Sequence, residues 1–229
     1  MILQRQVKRK GLSVNHYIIN FQRYKMFIHT MIKEHSVIII PGLGDDVIAL
    51  ERLTNHWQKS SLIPVIHSVG WRDKEKDFYP KLNRILVLID QLVANDNVVS
   101  LIGTSAGGSA VLNAFIERRD VVNKVINVCG RLRKGPLDGL RSFQSKTSSS
   151  PAFAQSVILA EEKIGVLSNQ ERQRIMTVRP LFGDELVPSS TTTIDGAVST
   201  IIPTTEHMLS IGAALSVFSA PLIRFLLEE

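Results

Sequence analysis

The sequence predicts an α/β protein with a doubly wound, mostly parallel sheet of about six strands and helices on both faces. Three observations carry that prediction. Short apolar runs alternate with segments of helical period along most of the chain. The runs are continuously apolar, as strands covered on both faces require, rather than alternating apolar and polar. Turn-forming residues follow the runs, most visibly at Pro41-Gly42-Leu43-Gly44.

Taken in order, Ser36–Ile40 is a β-branched run of strand type, ended by that turn. Val47 to Lys59 follows with Val47, Leu50, Leu53 and Trp57 at helical spacing. Leu62–His67 is the next strand, and Tyr79 to Ala94 the next helix, through Leu82, Ile85, Leu86, Ile89 and Leu92. Val98–Ile102 is a strand, Gly108 to Arg119 a helix, and Val125–Cys129 a strand. Ile175–Arg179 and Ala197–Ile202 complete the set, and strand–helix alternation at this spacing implies right-handed crossovers. Between them, residues 131–174 form an insertion. Its cluster Ser142, Ser145, Ser148, Ser149 and Ser150 is expected to be a flexible surface loop, followed by a helix around Ala152–Ile164. Residues 1–35 form a separate basic segment, with a candidate strand at Val14–Asn20 and a candidate helix from Phe21 to Lys33, expected either to supply a sheet-edge element or to remain partly mobile. The α/β domain is assigned to residues 36–229.

At 229 residues, 44% of them hydrophobic and 21% charged, the chain suits one α/β domain with a sizeable core. The net charge of +6 is concentrated early, at Arg5, Lys8, Arg9, Lys10, Arg23 and Lys25. No nucleic-acid-binding signature accompanies it, so a solvated basic segment is expected and no nucleic-acid partner. Cys129 is the only cysteine, which excludes an intrachain disulfide and is compatible with a reducing compartment. Charges interrupt any signal-peptide core near the start. The apolar stretch Ile211 to Leu227 carries Pro221 and Arg224 and is expected to be a packed helix rather than a membrane span. A cytoplasmic protein is therefore expected. No cluster has metal-ligand spacing, no lysine follows a phosphate-cradling glycine loop, and no dinucleotide fingerprint opens a helix. No cofactor and no metal are expected.

Gly103-Thr104-Ser105-Ala106-Gly107 matches G-x-S-x-G and sits between a predicted strand and a predicted helix. A serine at such a corner is lifted onto a tight turn and presented at a helix N-terminus, where backbone amides favour developing negative charge. It becomes a nucleophile only if a base takes its proton. Of six histidines, only His207 lies downstream, in the loop after the last predicted strand. Asp184, after the strand Ile175–Arg179, supplies a carboxylate in the same kind of position, with Glu185 and Asp195 as alternatives. Loops at the C-terminal ends of parallel strands converge, so the three can meet.

With these residues on the page, the chain resembles the α/β-hydrolase fold superfamily. The resemblance rests on Gly103–Gly107, on D-x-x-V-P from Asp184 to Pro188, and on His207, and it covers roughly residues 36 to 229. More narrowly, Gly70-Trp71-Arg72-Asp73, a helix and then G-T-S-A-G-G is similar to small hydrolases of unassigned substrate. The resemblance implies an abbreviated fold with little or no cap, and a serine hydrolase acting on a carboxylic ester or related acyl bond. It implies Ser105 as nucleophile, His207 as general base and acid, and Asp184 as the group that fixes the imidazole. The Pro41–Gly44 turn is similar to the family's first oxyanion loop, so the amides of Leu43 and Ala106 are the implied oxyanion donors. Pro41 stands where many members carry histidine. Asp45 and Asp46 follow the turn, where capping of the next helix is expected. Trp71 and Arg72 are candidate substrate-binding residues, with packing beneath the loop as the alternative for Trp71. The competing functional class is a non-catalytic ligand-binding or interaction protein on the same fold.

Overall fold

The structure, a computed structural model, describes residues 33–135 and 138–228. Its strands are β1 (His35–Ile40), β2 (Leu62–Ile66), β3 (Val98–Thr104), β4 (Val122–Val128), β5 (Ile175–Pro180) and β6 (Val198–Ile202). They form one six-stranded sheet in the order β2-β1-β3-β4-β5-β6, and every neighbouring pair is parallel. The chain leaves β1 for β2 on one side and returns to β3 on the other. Strand order therefore reverses at β1 and β3, the position at which open α/β sheets place their sites.

Helices close both faces. α1 (Val47–Thr54), α7 (His207–Leu215) and α8 (Ala220–Leu227) cover one; α2 (Phe78–Ala94), α3 (Gly107–Glu117) and α5 (Pro151–Ile164) cover the other. The shorter α4 (Phe143–Thr147) and α6 (Asn169–Gln173) flank α5 in sequence. Alternation along β1 shows why its run is continuously apolar. Val37 and Ile39 pack with Leu50, Ile211 and Phe225 on one face, while Ile38 and Ile40 pack with Ile85, Leu112 and Phe115 on the other.

Several expected elements take a different form. The helix expected through Lys59 ends at Thr54 and continues as a 3₁₀ turn, Asn55–Ser60, stopped by Ser61 at φ +60°. The strand expected at Val125–Cys129 starts at Val122 and ends at Val128, and Cys129 turns out of it at φ +55°. The single C-terminal helix is two helices, α7 and α8, meeting at 56°. Pro221 sits in the first turn of α8, where its missing amide is tolerated, whereas in an unbroken helix it would delete an internal bond. Among the described residues no single helix is long and apolar enough to cross a membrane.

The serine cluster is not an open loop. Ser142 caps α4 by accepting from the Ser145 amide, and buried Ser150 caps α5 by accepting from the Phe153 amide. Asp195-Gly196 precedes a parallel strand, so it is a turn of a crossover rather than of a hairpin. The strand expected at Val14–Asn20 and the helix expected from Phe21 lie outside the described residues.

Candidate active site

Ser105 stands between β3 and α3 at the reversal of strand order, with φ +52°, a left-handed conformation that few non-glycine residues adopt. Its amide donates to Val128 O, and its carbonyl accepts from the Gly108 amide, so the corner is fixed at both ends. The space around it admits no larger neighbour. A Cβ on Gly107 would lie 2.1 Å from Ile40 O, and one on Gly42 would lie 2.9 Å from Ser105 Cβ. Gly107 is thus where the helix start presses against the backbone of β1, and Gly42 is where the turn presses against the serine.

His207 is the first residue of α7 and is 1% exposed. Its Nε2 lies 2.9 Å from Ser105 Oγ and its Nδ1 2.6 Å from Asp184 Oδ2. The other Asp184 oxygen, Oδ1, accepts from the amides of Leu186 and Val187, both at 2.8 Å. Burial by itself raises the Asp184 carboxyl. The His207 hydrogen bond and charge, with the Val187 and Leu186 amides, outweigh it and hold the group below the ordinary aspartate value. An ionised carboxylate only accepts, so Nδ1 is the donor to Asp184, and in the neutral ring Nε2 is then the atom that accepts from the serine hydroxyl.

The two other carboxylates weighed for this position have different places. Asp195 lies before β6, at the opposite end of the sheet. Glu185 faces the backbone of His207, whose amide donates to its Oε2 at 3.0 Å and Oε1 at 3.3 Å. Glu206 caps α7, accepting from the amides of Met208 and Leu209. These amide bonds lower its carboxyl from the ordinary value. The first three amides of α7 are therefore all held by carboxylates, and the helix that carries the imidazole starts from a satisfied end.

On the other side of Ser105, the Pro41–Gly44 turn approaches through Gly42. Asp46 caps α1 by accepting from the Ala49 amide, whereas Asp45, at φ +47°, donates its amide to Gly42 O and accepts from the Trp71 amide at Oδ2. Neither Leu43 nor Ala106 donates its amide to another group among the described residues. Both amides expected as oxyanion donors thus have no acceptor among the described residues.

Trp71 does not line an open pocket. It is 1% exposed, stacks on Phe78 at 6.2 Å, meets Phe153 edge-on at 5.9 Å, and donates its indole N–H to Pro41 O. The substrate-binding reading of Trp71 gives way to packing because the ring has a complete set of protein partners. Arg72 is exposed beside it.

Two buried polar residues, Asn127 and Arg131, and the exposed Arg141 were not singled out in the sequence. Asn127 on β4 donates to Gly130 O and Thr192 O under the serine turn, and its one signal is polarity inside an apolar run. Arg131, 1% exposed, donates to the carbonyls of Lys134 and Arg141, and Arg141 in turn donates to Asp184 O. Burial lowers the Arg131 guanidinium, and the charge of Asp184 works against that. The insertion is thereby tied to the loop that carries the acid.

No family model matches the chain, and no curated protein matches it in sequence. Solved structures do match. The monoacylglycerol lipase of Paleococcus ferrophilus aligns with a TM-score of 0.57 at 13% identity, covering 83% of this chain and 93% of the lipase. Est1E from Butyrivibrio proteoclasticus aligns with a TM-score of 0.54 at 14% identity, over 84% of this chain and 89% of that one. A protein of Xanthomonas campestris pv. campestris described as a hydrolase of the alpha/beta superfamily aligns at 0.54 with 16% identity, over 85% and 98%. At such identities the likeness speaks to fold, and with the sheet order and the strand–serine–helix corner it gives one answer: this chain has the α/β-hydrolase fold.

Proposed function

We propose that the protein is a serine hydrolase that cleaves a carboxylic ester, or a related acyl bond, through Ser105, His207 and Asp184. The observation that carries this reading is the continuous chain of contacts from Ser105 Oγ through His207 Nε2 and Nδ1 to Asp184 Oδ2, at 2.9 and 2.6 Å. Ser105 Oγ attacks the acyl carbon as His207 Nε2 takes its proton. Negative charge develops on the former carbonyl oxygen, and the amides of Leu43 and Ala106 are the available donors for it. Asp184 holds the ring by Nδ1 and stabilises the imidazolium that forms. The imidazolium then protonates the departing alkoxide, leaving an acyl-serine. His207 next takes a proton from water as the water oxygen attacks the acyl-serine, and it returns that proton to Ser105 Oγ as the acid is released.

Phe182, two residues before Asp184, and Met208, one after His207, are exposed apolar side chains close in sequence to the proposed acid and base, and they favour an acyl group with a hydrocarbon chain. Neighbours in fold that include esterases and a monoacylglycerol lipase make the ester the first bond to test.

The test is chemical. A fluorophosphonate probe is expected to label the wild type at Ser105 and to leave Ser105→Ala unlabelled. In a panel of p-nitrophenyl esters and matched thioesters, hydrolysis should be present in the wild type and vanish with the same substitution. Labelling that persists in Ser105→Ala would remove the reading.

A further inference from the structure

The sequence singles out Trp71 as a candidate substrate-binding residue. Its partners give it another task, which rests on the hydrolase reading above. We propose that Trp71 is the positioning residue of the oxyanion turn, holding both peptide planes that flank Gly42 so that the Leu43 amide stays aimed beside Ser105.

The first plane is that of the Pro41–Gly42 peptide. Its carbonyl accepts the indole N–H of Trp71 at 2.9 Å in a buried setting. The second plane is that of the Gly42–Leu43 peptide. Its carbonyl, Gly42 O, accepts the Asp45 amide at 3.0 Å. In a trans peptide the carbonyl and the following N–H point in opposite directions, so fixing Gly42 O fixes the direction of the Leu43 N–H.

Asp45 keeps that bond only while its own backbone holds φ +47°, a region that Asp tolerates through local side-chain bonding. The side chain that secures it is bonded to the Trp71 amide, at 2.9 Å. Both N–H groups of Trp71 are therefore spent on the turn, one at each end of it. The Trp71 carbonyl is occupied as well, by the hydroxyl of buried Ser150 at 2.6 Å. Ring packing on Phe78 and Phe153 completes the hold on the indole.

The arrangement answers a chemical need. A backbone amide carries no side chain with which to hold itself, and a turn containing Gly42 and Gly44 is intrinsically free. An oxyanion donor works through fixed geometry, and losing one costs roughly 100-fold in rate. A tryptophan braced on two aromatic rings supplies the fixed frame that the turn lacks.

The experiment compares Trp71→Phe, Asp45→Ala and Asp45→Asn with the wild type. Phenylalanine keeps an aromatic ring between Phe78 and Phe153 but has no N–H; asparagine keeps an acceptor for the Trp71 amide and alanine does not. Amide hydrogen exchange read by NMR is expected to quicken by about 10-fold or more at residues 42–46 in Trp71→Phe and Asp45→Ala, while α3 keeps its wild-type protection and Asp45→Asn stays near wild type. In ester hydrolysis the two disruptive variants should lose on the order of 10-fold in kcat with KM within about 2-fold, and Asp45→Asn should recover most of the loss. Unchanged exchange at 42–46 would overturn the proposal. So would exchange that rises equally through α2 and α5, or a rise in KM at constant kcat, which would make Trp71 a substrate contact. If the wild type hydrolyses no ester and takes no fluorophosphonate, the hydrolase reading fails, while the exchange comparison still decides whether Trp71 holds the turn.

Discussion

The two flanks of Ser105 are built in opposite ways. On the flank toward β5 and β6, titratable side chains face one another: His207 between Ser105 and Asp184, with Glu185 and Glu206 on the backbone of the same helix. On the flank toward β1 and β2, the groups nearest the serine are backbone, in a turn whose geometry is set by Trp71 and Asp45. In the proposed reaction one flank moves protons and needs particular side chains. The other offers N–H groups that every residue but proline has, and it needs only their direction. Substitution should therefore be drastic on the first flank and graded on the second.

The largest expected effect lies on the proton-moving flank. Asp184→Asn keeps the shape but presents an amide that can donate as well as accept, so Nδ1 is no longer held as the proton carrier. A loss of about 10⁴-fold in kcat is expected for a displaced tautomer, against the on-order-of-10-fold loss at Trp71. A steady-state comparison of the two variants checks the ratio; an Asp184→Asn loss no larger than that of Trp71→Phe would break the contrast.

Next comes the corner shared by both flanks. Gly107→Ala would place a methyl 2.1 Å from a strand carbonyl, whereas at Gly44 nothing lies within 4 Å of the added atom. Gly107→Ala is expected to cost about 3 kcal/mol or more in urea unfolding. Gly44→Ala should change stability by about 0.5 kcal/mol or less. Equal costs would mean that the elbow can relax where the close approach says it cannot.

The same contrast explains what could be read from the chain beforehand. That Ser105, His207 and Asp184 meet was legible because each stands in a loop after a strand-type run, at the end of the sheet where such loops gather. The sheet was legible because burial on both faces forces apolar runs such as Val37 to Ile40. Trp71 drew notice as a residue but not for its task, since a hydrogen bond to Pro41 O depends on two loops meeting across thirty residues of chain. Glu185 stood beside the acid, yet its aim at a backbone amide depends on where α7 begins. The serine cluster looked like a loop because a capping serine and a loop serine have the same composition; what separates Ser150 is its burial beneath Trp71. The break between α7 and α8 was hidden by a continuous apolar stretch, although Pro221 marked it.

The smallest expected effect separates the flanks by charge alone. Asp184 is held below the ordinary aspartate value in the folded protein, so between the two values the unfolded chain binds more protons than the folded one. Its contribution to stability is then fully present above the ordinary aspartate value and is lost as pH falls through the lower, folded value. Asp184→Asn has nothing to titrate there, so its stability should fall less steeply over the same acid interval, whatever its stability at neutral pH. Trp71→Phe removes a neutral donor and should shift the whole curve without changing its acid slope. Urea midpoints taken from neutral pH into the acid range on the three proteins measure both slopes. Parallel curves for wild type and Asp184→Asn would mean that the gain from His207 and the Val187 and Leu186 amides does no more than cancel the cost of burying the charge.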